Sequence, residues 1–524
     1  MAIPQPRPWG ERHRMLACVV TAAVRGVDSY LVRVEVGLAS GLPSFTFVGL
    51  AEGAVREGRE RVGAALRHAG YPLPPRRITV NLAPADVRKE GSGFDLPVAV
   101  GLLAAAGHVD AGRVRDTAYL GELGLDGSLR PVRGVLSVAA RCAEKGVRRL
   151  VVPEGNAREA AVVDCVAVFG ASSLQDVLAD LRDGPSLPSI AVDAASVLDA
   201  PADAGPDLHD VKGQQTAKRS LEIAAAGAHN LLLLGPPGSG KTMLARRLAG
   251  ILPPLTIPEA VEVTKVHSVA GCLPRGSALV TRRPFRAPHH TVSYAGLVGG
   301  GMPLRPGEVS LAHHGVLFLD ELPEFRRNVL EVLRQPVEDG VVQLSRARQA
   351  ASFPARFLLV GAMNPCPCGY WGDGTDRCLC DPGQVDRYRG RVSGPLVDRL
   401  DLHVEVPAVS FEHLADDARG NSSAAVRERV HRARVVQEER FTDVPGTYAN
   451  GQMDAGLLRR LVRPDRGVAR LLQHAVDRTG LSARAYHRVL KVARTVADLE
   501  QAEGVEERHV LEVLQYRTLD RTAR

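Results

Sequence analysis

The stretch Gly235-Pro-Pro-Gly-Ser-Gly-Lys-Thr242 decides the fold of this chain. An apolar run at residues 230–234 precedes it, and residues 243–249 after it are helix formers at helical spacing. A strand, a glycine-rich loop ending in Lys-Thr and a helix together form a phosphate-binding loop. Its glycines let backbone N–H groups point at phosphate oxygens, and the helix N-terminus adds partial positive charge. The sequence therefore predicts a nucleotide site on a parallel α/β sheet.

The members of this loop have separate expected roles. Lys241 is expected to reach the β- and γ-phosphates of ATP, and the Thr242 hydroxyl is expected to hold Mg²⁺. The remaining residues complete the predicted phosphate cradle: Gly235, Pro236, Pro237, Gly238, Ser239 and Gly240.

Two later strands predict the hydrolytic residues. Residues 316–319 form an apolar run that ends in Asp320 and Glu321, the Walker B pattern. Asp320 is expected in the Mg²⁺ shell, and Glu321 is expected to orient and deprotonate the attacking water. Residues 356–363 form another strand, and Asn364 at its end matches the sensor 1 amide that positions this water.

Two arginines complete the predicted ATPase centre. Arg399 falls where related ATPases carry the arginine finger that reaches a neighbouring subunit's nucleotide. The alternative is a local ion pair, because Asp398 and Asp401 flank it. Arg484, in the first turn of a helix capped by Ser482, fits the sensor 2 arginine of a lid, with Arg488 one turn later as the alternative.

Composition limits the class of protein. The chain has 524 residues, 45% hydrophobic and 24% charged, which suits a soluble globular protein of several domains. It contains no apolar run of about 18 residues, and its first residues lack the apolar core of a signal peptide. A cytoplasmic location is therefore expected. The net charge of +7 permits a polyanionic partner without requiring one.

The residues before the phosphate loop predict an α/β or α+β domain. Residues 31–36, 77–82 and 147–153 read as strands, and residues 96–105 and 157–163 read as helices. The phrases at 88–95, 121–132 and 150–156 resemble the protease domain of Lon and the matching domain of RadA.

This resemblance implies the Lon-like fold without proteolysis. In Lon the nucleophile is a serine and its partner is a lysine, but those positions here are Gly93 and Leu136. A Ser–Lys protease needs a hydroxyl and an amine within hydrogen-bond reach. Ser92 with Lys89 is the remaining alternative, although the two lie too close in sequence to reproduce that pair.

The order of domains identifies a resemblance to the YifB/ComM family of magnesium-chelatase-like AAA+ ATPases. We expect a Lon-like domain at 1–182, a linker at 183–207, the AAA+ core at 208–408 and a helical lid at 409–524. The phrases that carry the resemblance are residues 285–291, 306–312, 318–325 and 363–369. It implies a hexameric ring and, as in the ComM proteins, a DNA helicase that drives branch migration.

A basic and glycine-rich insert separates the two Walker motifs. In this branch of AAA+ proteins an insert here projects toward the pore, and Arg and Gly suit contact with a polyanion backbone. The residues concerned span 282–302 and include Arg282, Arg283 and Arg286. Adjacent His289 and His290 are expected to have structural or nucleotide-side roles, because neighbouring residues rarely bind one metal ion.

Four cysteines form a separate candidate site. Cys366, Cys368, Cys378 and Cys380 lie in a short Gly- and Asp-rich segment. Four cysteine thiolates suit a structural Zn²⁺, while the one-residue spacing within each pair leaves free thiols as the alternative. Disulfides are not expected in a reducing cytoplasm.

Three classes of function compete at this point. The first is an ATP-driven motor on single-stranded or branched DNA. The second is a chelatase-type ATPase that remodels a protein partner, and the third is an ATP-dependent protease, which Gly93 and Leu136 oppose. Stimulation of ATP hydrolysis by DNA would separate the first class from the others.

Overall fold

The computed structural model describes residues 16–199, 205–346, 349–374, 376–409, 420–444, 446–479 and 482–517. Among these residues, none of the helices combines the length and the apolar character needed to span a bilayer.

An eight-stranded mixed sheet organises the N-terminal region. Its strand order is β10-β9-β8-β5-β1-β2-β4-β3, and β6 and β7 form a separate two-stranded sheet. The strands are Leu16–Arg25 (β1), Asp28–Ala39 (β2), Ser44–Val48 (β3), Arg77–Ala83 (β4), Thr117–Tyr119 (β5), Glu122–Leu123 (β6), Leu129–Arg130 (β7), Arg149–Pro153 (β8), Ala167–Ala171 (β9) and Ser189–Ile190 (β10).

Helices cover this sheet. They are Gly53–His68 (α1), Asp95–Ala105 (α2), Ala111–Arg115 (α3), Val135–Glu144 (α4), Glu154–Ala160 (α5), Leu174–Asp183 (α6) and Ala194–Asp199 (α7). Helix α2 is buried along its whole length, which explains why its sequence is apolar on every side. The predicted strands at 31–36 and 77–82 lie within β2 and β4, whereas the short helix predicted at 157–163 begins earlier, at Glu154.

The segment expected to be a linker contains regular structure. Within 183–207, β10 pairs antiparallel with β9, and α7 follows it. Val197 and Leu198 of α7 pack against an apolar cluster, and this burial stabilises the segment. Both elements are too short to give a recognisable hydrophobic period in the sequence. Residues 200–204 lie outside the described part of the chain.

A five-stranded parallel sheet organises the central region. Its order is β12-β15-β18-β11-β19, and two antiparallel hairpins, β13–β14 and β16–β17, accompany it. The strands are Leu231–Leu234 (β11), Phe285–Arg286 (β12), Gly299–Gly300 (β13), Arg305–Pro306 (β14), Val316–Leu319 (β15), Val341–Arg346 (β16), Gln349–Pro354 (β17), Leu358–Met363 (β18) and Leu402–Glu405 (β19).

The helices of the central region flank this sheet. They are Gln215–Gly227 (α8), Lys241–Ile251 (α9), Ile257–Ala270 (α10), Tyr294–Val298 (α11), Glu308–Leu311 (α12), Arg327–Glu331 (α13), Arg334–Asp339 (α14), Pro382–Arg389 (α15) and Gly394–Val397 (α16). Strands β11, β15 and β18 are buried at every position, as expected for a parallel sheet covered on both faces. Their carboxyl ends meet at one edge, and ligands of open α/β sheets bind there.

The C-terminal region is helical and shares a core with the parallel sheet. Its helices are Ser423–Arg440 (α17), Ala455–Leu461 (α18), Arg466–Thr479 (α19), Ala483–Leu499 (α20) and Glu507–Gln515 (α21). Ser482 caps α20 as the sequence predicts, because its side chain accepts from the Ala485 N–H. Buried Asp498 of α20 pairs with Arg440 of α17 and with Arg494 of its own helix, and the bond to Arg440 fixes α17 to α20.

Candidate nucleotide-binding site

Lys241 lies inside the phosphate loop. Its Nζ donates to the carbonyl oxygens of Gly235 at 2.8 Å and Pro236 at 2.9 Å, and to Asn364 Oδ1 at 3.2 Å. Burial lowers the pKa of Lys241, and the charge of nearby Asp320 opposes that shift. The ammonium thus contacts the predicted sensor amide across the carboxyl ends of β11 and β18.

Thr242 and Asp320, the two predicted Mg²⁺ ligands, are in direct contact. Thr242 Oγ1 donates to Asp320 Oδ2 at 2.6 Å. A hydroxyl and a carboxylate at this separation suit a hard cation that keeps several of its own waters. The side chains present therefore fit a magnesium ion.

Glu321 is held by its backbone in an unusual conformation. Its φ is 52°, and its N–H donates to Asp320 Oδ1 at 2.9 Å. Its carboxylate is mostly exposed, and Oε2 lies 3.3 Å from His290 Nδ1. The sequence assigned no partner to Glu321, because His290 follows a different strand.

A cavity of about 590 Å³ lies beside the loop. It is bounded by the start of α8, the end of β19 and the C-terminal residues Gln515 and Tyr516. A side chain at Gly235 would collide with the Val406 carbonyl, so the loop and this wall are in close contact. The cavity has the size of a small-molecule site, and Gly213 and Gln214 of the segment before α8 line it. Sequence reasoning missed the C-terminal wall, because nothing local links Tyr516 to the loop.

The Arg399 guanidinium is bound by groups of its own chain, including an acid that the sequence did not indicate. Its Nη2 lies 2.5 Å from Glu338 Oε1, and its Nη1 donates to the Pro395 carbonyl at 2.6 Å. The flanking Asp401 instead accepts from the Asn230 N–H at 2.9 Å and lies 3.5 Å from Arg488 Nε. Arg399 therefore does form an ion pair within the chain, but its partner is Glu338 and not the flanking Asp398 or Asp401.

The two candidate lid arginines differ in their surroundings. Arg484 is exposed, and no other described residue pairs with it. Arg488 is mostly buried and ion-paired with Asp401, so it links α20 to the segment before β19. Of the two, Arg484 has the exposed guanidinium, and its role as sensor 2 stays a prediction.

The four clustered cysteines converge. The Sγ atoms of Cys366 and Cys368 are 3.3 Å apart, and Cys378 Sγ lies 3.8 Å and 3.5 Å from them, respectively. With Cys380, all four sulfurs lie within 4.8 Å of one another. These separations are too long for S–S bonds, which are about 2.05 Å, and close to the ~3.8 Å between sulfurs around a tetrahedral Zn²⁺.

The cysteine cluster also touches the phosphate loop. A Cβ placed at Gly369 would lie 2.5 Å from Pro237 Cδ, so the backbone after Cys368 packs directly on the loop. Asn364 precedes Cys366 by two positions, which places the sensor amide at the edge of the same cluster.

The basic insert is not a free cationic surface. Arg283 is mostly buried, pairs with Glu259 at 2.8 Å and donates to the Pro253 carbonyl at 2.6 Å. Arg286 forms a bidentate pair with Glu308 at 2.6 and 2.7 Å. Acids distant in sequence therefore pair with Arg283 and Arg286, while Arg282 is exposed. Contact of 282–302 with a polyanion stays a prediction.

Two hairpins lie close to each other near this insert. The β13–β14 hairpin exposes Met302 and Arg305, and Gly299 packs close to Leu344 of the β16–β17 hairpin. The second hairpin pairs from Val341 to Arg346, and Ala347 and Arg348 at its connection lie outside the described residues. The alternation of apolar and polar residues along β16 is the sequence signal for this hairpin.

The two positions compared with the Lon dyad, Gly93 and Leu136, are both closely packed. A Cβ at Gly93 would lie 2.9 Å from Leu120 Cδ1, and Leu136 is fully buried against α10. Ser92 donates to Glu122, and Lys89 donates to the Pro84 carbonyl. Ser92 and Lys89 therefore have other partners and do not form the alternative pair.

Comparison with known proteins covers most of the chain. Residues 207–414 match the family described as "Magnesium chelatase, subunit ChlI". Residues 34–156 match "Subunit ChlI of Mg-chelatase", and residues 420–517 match "Magnesium chelatase, subunit ChlI C-terminal".

Individual relatives extend over the same regions. The chain is 46% identical to "Competence protein ComM" of Haemophilus influenzae over 97% of this chain and 98% of that protein. It is 43% identical to "Uncharacterized protein YifB" of Escherichia coli over 97% and 98% of the two chains. It is 28% identical to the "Magnesium-chelatase 38 kDa subunit" of Rhodobacter capsulatus over 30% of this chain and 49% of that subunit.

Proposed function

This chain belongs to the YifB/ComM family of magnesium-chelatase-like AAA+ ATPases, and we propose that ATP is hydrolysed at the carboxyl edge of its parallel sheet. The observation that carries the proposal is the convergence of Lys241, Asn364, Thr242 and Asp320 from three strands. The phosphate loop would hold the β- and γ-phosphates, and the 590 Å³ cavity would take adenine.

The residues divide the reaction between them. Lys241 leaves its carbonyl partners and neutralises the γ-phosphate, while Asn364 orients the attacking water. Glu321 accepts the proton of that water as the bond to the β–γ bridging oxygen breaks. Mg²⁺ held by Thr242 and Asp320 would supply charge neutralisation on the phosphates. Arg399 of a neighbouring subunit and Arg484 of the lid would contact the γ-phosphate from the other sides.

Two substitutions test the site. Lys241→Ala should abolish ATP binding, because the loop loses its charge. Glu321→Gln should bind ATP normally and lose hydrolysis by about 10²-fold or more, because only the proton acceptor is removed. Nucleotide binding by fluorescence and phosphate release measure the two steps separately. Near-normal turnover by Glu321→Gln would overturn the assignment.

We propose further that the chain assembles as a hexameric ring and moves branched DNA. This rests on its similarity to ComM over nearly the whole length, and on two adjacent hairpins with Arg305 and Arg348 in their sequences. The domains would be a Lon-like domain at 1–182, the AAA+ core at 208–408 and a helical lid at 409–524. In a ring of six copies, the positive charges of the hairpin arginines would add up to a strong positive potential around the pore.

The experiment is ATP hydrolysis and strand displacement on a forked duplex at several salt concentrations. We expect DNA to stimulate hydrolysis, ATP-dependent branch movement, and binding that weakens steeply with salt because phosphate contacts release counterions. A ring that hydrolyses ATP at a rate indifferent to DNA and binds none at low salt would favour the chelatase-type remodeller. The match to magnesium chelatase families supports that second candidate.

We propose a structural Zn²⁺ at Cys366, Cys368, Cys378 and Cys380. The support is the sulfur spacing, which suits four thiolates around one tetrahedral ion. By holding the turn that packs on Pro237, the ion would fix the wall of the phosphate loop.

Elemental analysis tests this site. Protein purified without chelator should hold about one zinc per chain. Cys366→Ser with Cys368→Ser should lose it and lower the melting temperature, whereas the exposed Cys272→Ser should retain it. Wild-type protein without zinc would contradict the proposal.

A further inference from the structure

Helix α19 carries basic side chains at regular spacing. Arg466, Arg470, His474 and Arg478 recur at every fourth position of this helix, and all four are exposed. Residues four apart are neighbours on the surface of a helix and lie about 6 Å apart along its axis. These four residues, which we call the basic row, therefore extend about 18 Å along α19.

The other side of α19 is buried. Val468 and Leu472 lie in the core cluster that the parallel sheet shares with the C-terminal helices, and Leu471 packs against that cluster. Ala475, between the last two members of the basic row, is also buried. This apolar side fixes the orientation of α19, so the basic row faces outward and its members can be replaced without a change in the core.

The guanidinium groups of the basic row are not bound by carboxylates. No ion pair within the described residues joins Arg466, Arg470 or Arg478 to an acid. Arg470 Nε instead donates to the backbone carbonyl of Arg466 at 3.2 Å. The arginines of the basic row thus differ from Arg283 and Arg286, whose charges are paired with glutamates.

Acids are few around the basic row. Asp465 caps the helix, because its Oδ1 accepts from a backbone N–H of the first turn at 2.7 Å, and Asp477 is exposed near the end. Glu507 of α21 lies against Gly467 in the first turn. Residues 455–478 hold six arginines and two aspartates, a charge of +4, whereas the whole chain carries +7. The positive charge is therefore concentrated here, which an arginine excess spread evenly over the surface does not produce.

A row of guanidinium groups matches a partner with closely spaced anionic groups. Duplex DNA carries one negative charge per about 1.7 Å of its axis, and a single strand carries one per about 3.4 Å. Along 18 Å a duplex therefore offers about ten phosphates, about twice as many as a single strand. Guanidinium groups bind phosphate oxygens in bidentate fashion without reading the bases. The charge and the length of the basic row favour duplex DNA.

We propose that the basic row of α19 binds the phosphate backbone of duplex DNA and holds the duplex arm of a forked substrate. The inference rests on the proposed DNA motor and adds to it a second contact surface. That surface belongs to the C-terminal helical region, whereas the β13–β14 hairpin with Arg305 belongs to the central region. The two surfaces share no residue, so their contributions to binding are separable by substitution.

The test is binding of a blunt duplex and of a single strand by the full chain, measured by fluorescence anisotropy at several salt concentrations. Arg466→Ala/Arg470→Ala/Arg478→Ala should bind the duplex about tenfold or more weakly. The slope of log affinity against log salt should fall by about 2 to 3, because three phosphate contacts are lost. Affinity for the single strand should fall less. The matched control, Arg466→Lys/Arg470→Lys/Arg478→Lys, keeps the charge and should bind the duplex within about threefold of wild type.

The outcomes separate this inference from the proposed function. Wild-type affinity for the duplex in the triple alanine variant would overturn it, and so would equal losses on duplex and single strand. The variant should keep the wild-type sedimentation profile and the wild-type rate of ATP hydrolysis without DNA. Loss of assembly in the variant would place the basic row at a contact between copies and overturn the DNA contact. Wild-type protein that binds no DNA would refute the DNA motor itself.

Discussion

Single side chains in this molecule are defined by partners that lie far away in the sequence. Arg399 is paired with Glu338, Arg283 with Glu259, and Glu321 contacts His290. Each partner belongs to a different element, and each restricts what the functional group can reach. For Arg399, action on a neighbouring subunit requires that its guanidinium exchange Glu338 for phosphate.

Arg399→Ala should bind ATP normally. Its hydrolysis rate should fall on the order of 10²-fold, because the positive charge that stabilises the transferring phosphoryl group is missing. Mixing it with Glu321→Gln subunits should restore part of the activity, because some interfaces then combine an intact Arg399 with an intact Glu321. Glu338→Gln, which frees the guanidinium, should retain activity. An Arg399→Ala variant with wild-type turnover would leave the pair with Glu338 as a structural contact only.

His313 provides a second residue-level case, one that resembles a metal ligand. Glu262, His313 and His314 form a cluster with metal-binding residue types. His313 Nδ1 accepts from the Arg356 N–H at 3.0 Å, so its Nε2 carries the proton that faces Glu262. A neutral imidazole in that tautomer has no lone pair left at Nε2 for a metal. The cluster joins α10 to the residues that precede β15.

Burial lowers the pKa of His313 to about 4 from 6.5, although Glu262 opposes the shift. The unfolded chain therefore binds more protons between these values, and stability present above pH 6.5 is lost as the pH falls toward 4. From pH 7.5 to 5 the wild type should lose about 2 kcal/mol more unfolding free energy than His313→Asn. Urea unfolding at both pH values measures this difference, and equal losses would contradict it.

At the scale of elements, the β13–β14 hairpin carries the exposed Arg305, and we expect this hairpin to contact a polyanion. Gly299 packs against Leu344, so displacement of one hairpin would affect the other. Arg305 is exposed, while Arg283 and Arg286 are engaged with acids. An arginine that is already paired with an acid gains little binding energy from a phosphate contact. Substitution of such an arginine also destabilises the fold, because its acidic partner loses its counter-charge.

Arg305→Ala with Arg348→Ala should weaken binding to a forked duplex about tenfold and lower its salt dependence, with an unchanged melting temperature. Arg67→Ala, exposed on α1, is the matched charge control. Arg283→Ala should instead lower the melting temperature, because Glu259 and three backbone carbonyls lose their donor. Unchanged DNA affinity in the hairpin double variant would exclude both hairpins as the contact.

At the scale of the whole molecule, the N-terminal region is docked on the ATPase through α10. Leu136 packs with Val263 and Leu279 in an apolar cluster. Buried Glu159 accepts from the Leu136 N–H at 3.0 Å and from the Ser268 hydroxyl. Leu136 is therefore part of the contact between the two regions.

Leu136→Lys should destabilise the protein by about 3 kcal/mol or more, because it buries an unpaired ammonium at this contact. Leu136→Met, which keeps an apolar chain of similar volume, should cost less than about 1.5 kcal/mol. Chemical denaturation compares the free energies of unfolding of the two variants. Equal stability of the Lys and Met variants would contradict docking through Leu136.

Neither Leu136→Lys nor Gly93→Ser with Leu136→Lys should degrade casein, since Leu120 fills the space beside Gly93.

The sequence by itself determined the parallel sheet, the glycine-rich loop after β11, the carboxylates after β15, the Asn364 amide after β18 and the cap of α20. These are local patterns: a run of apolar residues followed by a polar end specifies a buried strand and the side chains at its carboxyl edge. It also placed four cysteines close enough in the chain to meet.

Only the tertiary structure decided the partners of charged groups and the walls of the site. Glu338, His290, Glu259 and Tyr516 come from other elements, and no local pattern encodes which side chain a folded chain brings within 4 Å. The same limit hid β10 and α7, which are too short to show a period and are ordered by packing on their neighbours. Local propensity fixes elements, whereas contacts distant in sequence depend on how the elements pack.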